Sequence, residues 1–195
     1  MKNILKNLND WSEFVPVKSS IPAAWSEEDL VFEWHENVQT NEVPKDDPWD
    51  TAPFRYYMED MYRAWGVDDL CTKHYLSFRP TLTGKLSTIL DNFKFKTISH
   101  NLLKLPPGRV LLWHFDAYAT FIKHNNLLLD DFNRIGRTVV MMNDWKFGQV
   151  IQIGNEVISH WSQGDTFSWP NSTWHGASNF GGSDLVVMQV SYLNE

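Results

Sequence analysis

Three side chains carry the chemistry this sequence can offer. His114 and Asp116 stand two positions apart in LLWHFDAY (111–118), and His175 follows in STWHGASNFG (172–181). A carboxylate buried without a partner is costly enough that it takes up a proton instead. A bound divalent cation removes that cost. Side chains alternate across a strand, so Val110, Leu112, His114 and Asp116 are expected on one face, with Trp113 and Phe115 on the other. Two same-face ligands make two corners of a metal site. His175, followed by small residues that leave room for a ligand, is the candidate third corner. Two histidines and one carboxylate with open positions favour non-haem Fe(II). The alternative is that each is a hydrogen-bonded core residue. Of the other histidines, His160 has no ligand partner by alternation, His124 sits in the polar IKHNN, and His35 and His74 lie in a half without a motif.

The elements that must position these residues change character near residue 95. Before it, FRYYMEDMYRAW (54–65) has apolar residues at helical spacing between Pro53 and Gly66. LSTILDNF (86–93) repeats the spacing, so a second helix is expected there. After residue 95 the chain reads as short strands at 97–105, 109–116, 137–143, 148–153, 156–161, 165–169, 174–178 and 185–192. Gly and Pro-Gly turns separate them. Many short strands at close spacing imply an antiparallel sandwich or barrel. The expectation is one α+β, mainly β domain over 1–195, with a mixed helical and loop cover over 1–95.

Composition narrows the function classes. The chain has 195 residues, enough for one domain with a real core and marginal for two. No apolar run approaches the roughly 18 residues of a membrane helix, and charged residues interrupt MKNILKNLNDWSEF before any signal-peptide core forms. A cytoplasmic protein with no membrane partner is expected. The single cysteine, Cys71, excludes an internal disulfide and a thiolate-rich metal site. The net charge is −7, and residues 26–50 hold nine acids against one lysine. Without a basic stripe the protein is a poor nucleic-acid binder. The acidic half favours a neutral or basic substrate.

The segments KLPPGRVLLWHFDAY and RIGRTVVMMNDWKFGQVIQIGNEVISHWSQGDTFSWPNSTWHGASNFG resemble the Fe(II)- and 2-oxoglutarate-dependent dioxygenases, nearest the aspartyl/asparaginyl hydroxylase-like branch with a His-x-Asp…His triad. The resemblance covers about residues 97–193. It implies a double-stranded β-helix (jelly roll, cupin-like) core over 96–195, with supporting helices from the N-terminal half. It implies that His114, Asp116 and His175 hold Fe(II), with 2-oxoglutarate and O2 as cosubstrates. The outcome would be hydroxylation of a C–H bond in a peptide or a small amino-acid-like molecule. Aspartyl β-hydroxylases proper lack the metal carboxylate that Asp116 provides here.

The same resemblance requires a cation for the far carboxylate of 2-oxoglutarate, and arginine's planar fork suits that task. No Lys or Arg follows His175. Arg137, opening RTVVMMNDW, fits the place, with Arg134 as the alternative. Asn101 and His100 could line the pocket, and Tyr118 could donate to the cosubstrate. The rival to an oxygenase is a cupin-like metal protein with isomerase, hydrolase or binding function, since fold does not fix function.

Overall fold

The computed structural model describes residues 15–38, 69–116, 118–171 and 173–194. The described chain is mainly β. Its strands are β1 (Val17–Ser20), β2 (His35–Val38), β3 (Lys73–Phe78), β4 (Ile98–Leu105), β5 (Arg109–His114), β6 (Ile135–Met141), β7 (Gln149–Ile153), β8 (Glu156–Ile158), β9 (Asp165–Pro170), β10 (His175–Asn179) and β11 (Leu185–Leu193). Two short α-helices are present among the described residues, α1 (Asp69–Thr72) and α2 (Ala119–His124). No helix there is long and apolar enough to cross a membrane.

The strands form two antiparallel sheets, a larger one ordered β1-β9-β6-β11-β4-β3-β2 and a smaller one ordered β5-β10-β7-β8. From β4 onward the chain passes back and forth between them. β4, β6, β9 and β11 go to the large sheet and β5, β7, β8 and β10 to the small one. That alternation is the double-stranded β-helix. Valine, isoleucine and aromatic residues fill the strands, and glycine allows the tight reversals. Gly154, at φ 56°, opens the two-residue turn between β7 and β8, a conformation that costs a β-carbon-bearing residue energy.

Three apolar clusters layer the described residues. Between the sheets lie Leu103, Leu105, Val139, Met141, Ile151, Ile153, Phe167 and Trp169. On the outer face of the large sheet, Leu102, Val140, Met142, Met188 and Val190 pack under Trp25, Leu86 and Ile89. Trp25 fastens this cover, donating its indole N–H to the Met142 carbonyl at 2.9 Å. At one end of the barrel, Phe121 and Ile122 of α2 pack with Tyr118 and Ile135.

Two expectations are corrected. The helix expected at 86–93 is replaced by two 3-10 turns, Gly84–Leu86 and Leu90–Asn92. Leu86 and Ile89 are still buried, because an i, i+3 spacing serves either helix. The Asn92 amide donates to the carbonyls of Thr88 and Ile89, a local competitor of α-helical bonding. Among the described residues the N-terminal cover contributes three strands and the four-residue α1 rather than the supporting helices expected. The helix expected at 54–65 lies outside them.

Candidate metal centre

β5 and β10 are neighbours in the small sheet, and their register sets His114 directly opposite His175. Two residues further along β10, the pairing has slipped. Ala177 faces Leu111, so three steps along β5 match two along β10. This is a β-bulge, and it corrects the alternation expected from the sequence. Leu111 and Ala177 pack toward the intersheet core, and Val110 pairs with Ser178 on the opposite face. The extra residue in β5 returns His114 to the inner face. Gly176 makes the bulge possible: a β-carbon there would stand 2.9 Å from the Leu111 carbonyl oxygen.

Each histidine is oriented by its own strand backbone. His114 Nδ1 lies 2.6 Å from the Leu112 carbonyl, and His175 Nδ1 lies 2.9 Å from the Thr173 carbonyl. A carbonyl only accepts, so both Nδ1 atoms carry the proton and both Nε2 atoms present a lone pair. Backbone orientation of this kind is what metal-bound imidazoles use. Both Nε2 atoms face Asp116, which follows β5: His175 Nε2 is 3.6 Å from Oδ2 and His114 Nε2 is 4.0 Å from Oδ1. The candidate ligand atoms of the three residues lie within 4.8 Å of one another. Bonds of about 2.1 Å place neighbouring ligand atoms roughly 3.0–3.4 Å apart, so the His–Asp pairs need to close by about half an ångström and the widest separation by up to about 1.4 Å. The three residues form a cluster that can hold a metal ion.

Arg137, on β6, reaches the same point from the other sheet. Its Nη2 is 2.9 Å from Asp116 Oδ2, and both side chains are largely buried, at 8% and 18% exposed. The guanidinium lies over the Tyr118 ring, 5.1 Å from its centroid, and Tyr118 holds a left-handed backbone at φ 54° to place it there. The His175 ring is braced by His114 at 4.4 Å and by Trp169 at 4.9 Å between centroids. Among the described residues, three buried side-chain atoms have no hydrogen-bond partner: Asp116 Oδ2, His175 Nε2 and Arg137 Nε. Arg137 Nη2 and Asp116 Oδ2 still form a close ion pair. Two of the orphans are candidate metal-ligand atoms and the third is a donor that can take an anion, so the cluster has room for a cation.

The electrostatics agree with that fit. Burial works to raise the Asp116 pKa, but Arg137, His175 and His114 outweigh it and hold the carboxyl below its usual range. Burial, then the neighbouring His114, pushes His175 down to about 4, so its imidazole is neutral at pH 7. Burial and the Asp116 charge push the Tyr118 phenol up. Burial acts against the Arg137 charge, and Asp116 and Tyr118 more than restore it.

The remaining expected residues separate. Arg134 points to Asp131 at 3.0 Å, half-exposed, and is not brought to the cluster. Asn101 lies on the barrel side of β4, where its Oδ1 accepts from the Arg79 backbone N–H at 3.2 Å. His100 is on the other face, bonded to the Pro80 carbonyl at 2.9 Å, and does not line the pocket. One residue without a role in the sequence reading is buried nearby. His74 on β3 is held by Thr72 and by the Asn37 amide, 3.0 Å from its Nε2, so that nitrogen is taken. Burial first, and the charge of His114 after it, depress its pKa.

Fold and site therefore define a mainly β, cupin-like double-stranded β-helix protein with a His-Asp-His cluster able to hold a metal. No protein-family model and no curated relative matches the chain. Solved structures of similar fold include a predicted oxalate decarboxylase from Thermotoga maritima, 15% identical over 62% of this chain and 81% of that one, TM-score 0.38. Another is a cupin domain from Bordetella pertussis, 14% identical over 50% and 82%, TM-score 0.34. A third is a sugar phosphate isomerase of the cupin superfamily from Silicibacter pomeroyi, 12% identical over 61% and 59%, TM-score 0.36. The strand order, not these distant likenesses, defines the fold.

Proposed function

We propose that this chain is an Fe(II)- and 2-oxoglutarate-dependent oxygenase that hydroxylates a C–H bond of a small amino-acid-like molecule or a peptide. The observation that carries the reading is the buried, hydrogen-bond-orphaned Nε of Arg137 beside two orphaned ligand atoms. Beside its ion pair with Asp116, Arg137 keeps this nitrogen for a second anion. In this reading His114 and His175 hold iron through Nε2, and Asp116 supplies the anionic ligand. Arg137, steadied by the Tyr118 ring, pairs with the far carboxylate of 2-oxoglutarate. Iron, when bound, supplies the activation of dioxygen that couples decarboxylation of 2-oxoglutarate to hydroxylation. The chain orients the cosubstrate against the cluster, and Trp169, Val139 and Met141 keep bulk water from the barrel interior.

A second reading has its own supporting observation. Arg137 already neutralises Asp116, which suits a double-stranded β-helix protein that holds a metal without oxygen chemistry. Turnover separates the two. The oxygenase reading expects succinate and carbon dioxide from 2-oxoglutarate in the presence of Fe(II) and oxygen. The activity should be lost in His114→Ala and Asp116→Ala. Stoichiometric metal binding with no effect of 2-oxoglutarate on the protein would favour the second.

A further inference from the structure

The inner face of the large sheet carries a polar layer between two apolar ones. Register places Arg137, Ser191 and Ser99 in one row across β6, β11 and β4. The next row holds Val139, Gln189, Asn101 and Phe78, the last on β3. The α2 cluster closes one side of this layer and the intersheet core the other. Exposure grows along the layer. Arg137 and Ser191 are buried at 7% and 6%, Gln189, Ser99 and Asn101 are half-buried, and Arg79 is exposed. The layer thus runs from the deep Arg137 end to the exposed Arg79 at the end of β3.

Arg79 is fixed at that exposed end. It adopts a left-handed backbone at φ 46°, which only a side chain with good local partners tolerates at low cost. Its backbone N–H donates to Asn101 Oδ1 and its Nε donates to Ser99 Oγ, both at 3.2 Å. Among the described residues no carboxylate pairs with it. Beside it the Phe78 ring is 60% exposed and stacks on His35, with 6.3 Å between centroids. Arg137 and Ser99 lie two strand spacings apart, about 10 Å. The two guanidinium groups are therefore anchored at opposite ends of the layer, one buried beside the His-Asp-His cluster and one at the exposed end.

We propose that Arg79 is a specificity-determining residue that takes the carboxylate of the substrate itself, with Phe78 packing against the substrate's apolar part. The substrate class is then a small carboxylate such as a free amino acid, rather than the neutral or basic substrate that the acidic N-terminal half favours. The proposal rests on the oxygenase reading for its cosubstrate, but the anion anchor stands on the Arg79 geometry alone. Arginine pairs with a planar carboxylate through two parallel hydrogen bonds, and a primary amide of the same shape lacks the charge.

The test is calorimetric titration of the full chain loaded with Mn(II) and 2-oxoglutarate. The probes are the free L-amino acids and C3–C5 monocarboxylates, each beside its primary amide. The expected result is that at least one carboxylate binds and its amide binds about tenfold or more weakly. Arg79→Gln should lose the same factor for the carboxylate and nothing for the amide. Arg79→Lys should recover part of it, and 2-oxoglutarate affinity should stay within about twofold in both variants. A panel in which no carboxylate binds, in which amides bind equally, or in which Arg79→Gln binds like the wild type overturns the proposal. Carboxylate binding that depends on Arg79 in a protein that takes up no 2-oxoglutarate would sink the oxygenase reading and leave the anchor standing.

Discussion

Replacing Arg137 by methionine tests the electrostatic centre of the site. The side chain is 8% exposed and lies 2.9 Å from Asp116, itself 18% exposed. Removing one partner of a buried pair leaves the other charge uncompensated, at a cost of about 3–5 kcal/mol. Methionine fills much of the vacated volume, so the packing term is small and the lower end applies, about 3 kcal/mol. For a chain of this length that is a fall in melting temperature of roughly 6–12 °C. The assay is urea unfolding followed by fluorescence of the ten tryptophans, first with a chelator and then with saturating Mn(II). A bound cation gives Asp116 the countercharge that Arg137 gave it. Metal should therefore stabilise Arg137→Met more than the wild type and close most of the gap. Equal stability of the two metal-free proteins within about 0.5 kcal/mol, or an equal gain from metal, would refute the reasoning.

Other perturbations follow from the same geometry. Arg137→Ala should raise the 2-oxoglutarate concentration needed for turnover, while Arg134→Ala, whose guanidinium is spent on Asp131, should leave it within about twofold; the reverse pattern would exchange their roles. The His175 pKa of about 4 lies below the unfolded value of about 6.5, so the unfolded chain protonates first as pH falls. Metal-free stability should then drop by about 3 kcal/mol between pH 6.5 and 4, a loss that His175→Gln flattens in pH-dependent urea midpoints. Asp116 acts in a lower window: its depressed pKa contributes stability present above about pH 4 that is lost on further acidification. Gly176→Ala, whose β-carbon meets the Leu111 carbonyl at 2.9 Å, should destabilise the protein by about 1–3 kcal/mol. It should also weaken metal binding by displacing the β5 bulge, and calorimetric metal titration with unchanged affinity would count against that.

Much of the barrel was legible because its strands are local objects. Val, Ile and Trp runs between Gly turns marked β4 to β11 to within about two residues, β8 excepted. β8 stops at Ile158 where 156–161 was expected, since His160 turns left-handed at φ 57°. The triad was legible because a histidine and a carboxylate sit where apolar residues would otherwise pack. The route by which His114 faces inward was not. A bulge is a two-strand property, and β5 alone gives no sign that Gly176 on a strand 61 residues away will accommodate its extra residue. Arg137 could be placed by parity with Val139 and Met141, both in the core. Arg79 could not, because its partners Ser99 and Asn101 come from a later strand. The edge strand β2 and its neighbour β3 escaped notice because HENV and KHYLSF lack a clean apolar alternation.

Anomalous scattering at the iron edge, from crystals grown without oxygen in Fe(II) and 2-oxoglutarate, tests the central claim most directly. The account predicts a single peak within bonding distance of His114 Nε2, Asp116 and His175 Nε2, with a 2-oxoglutarate carboxylate on the guanidinium of Arg137. A peak elsewhere, or iron at the three residues with Arg137 still bound to Asp116 and no 2-oxoglutarate beside it, would contradict it.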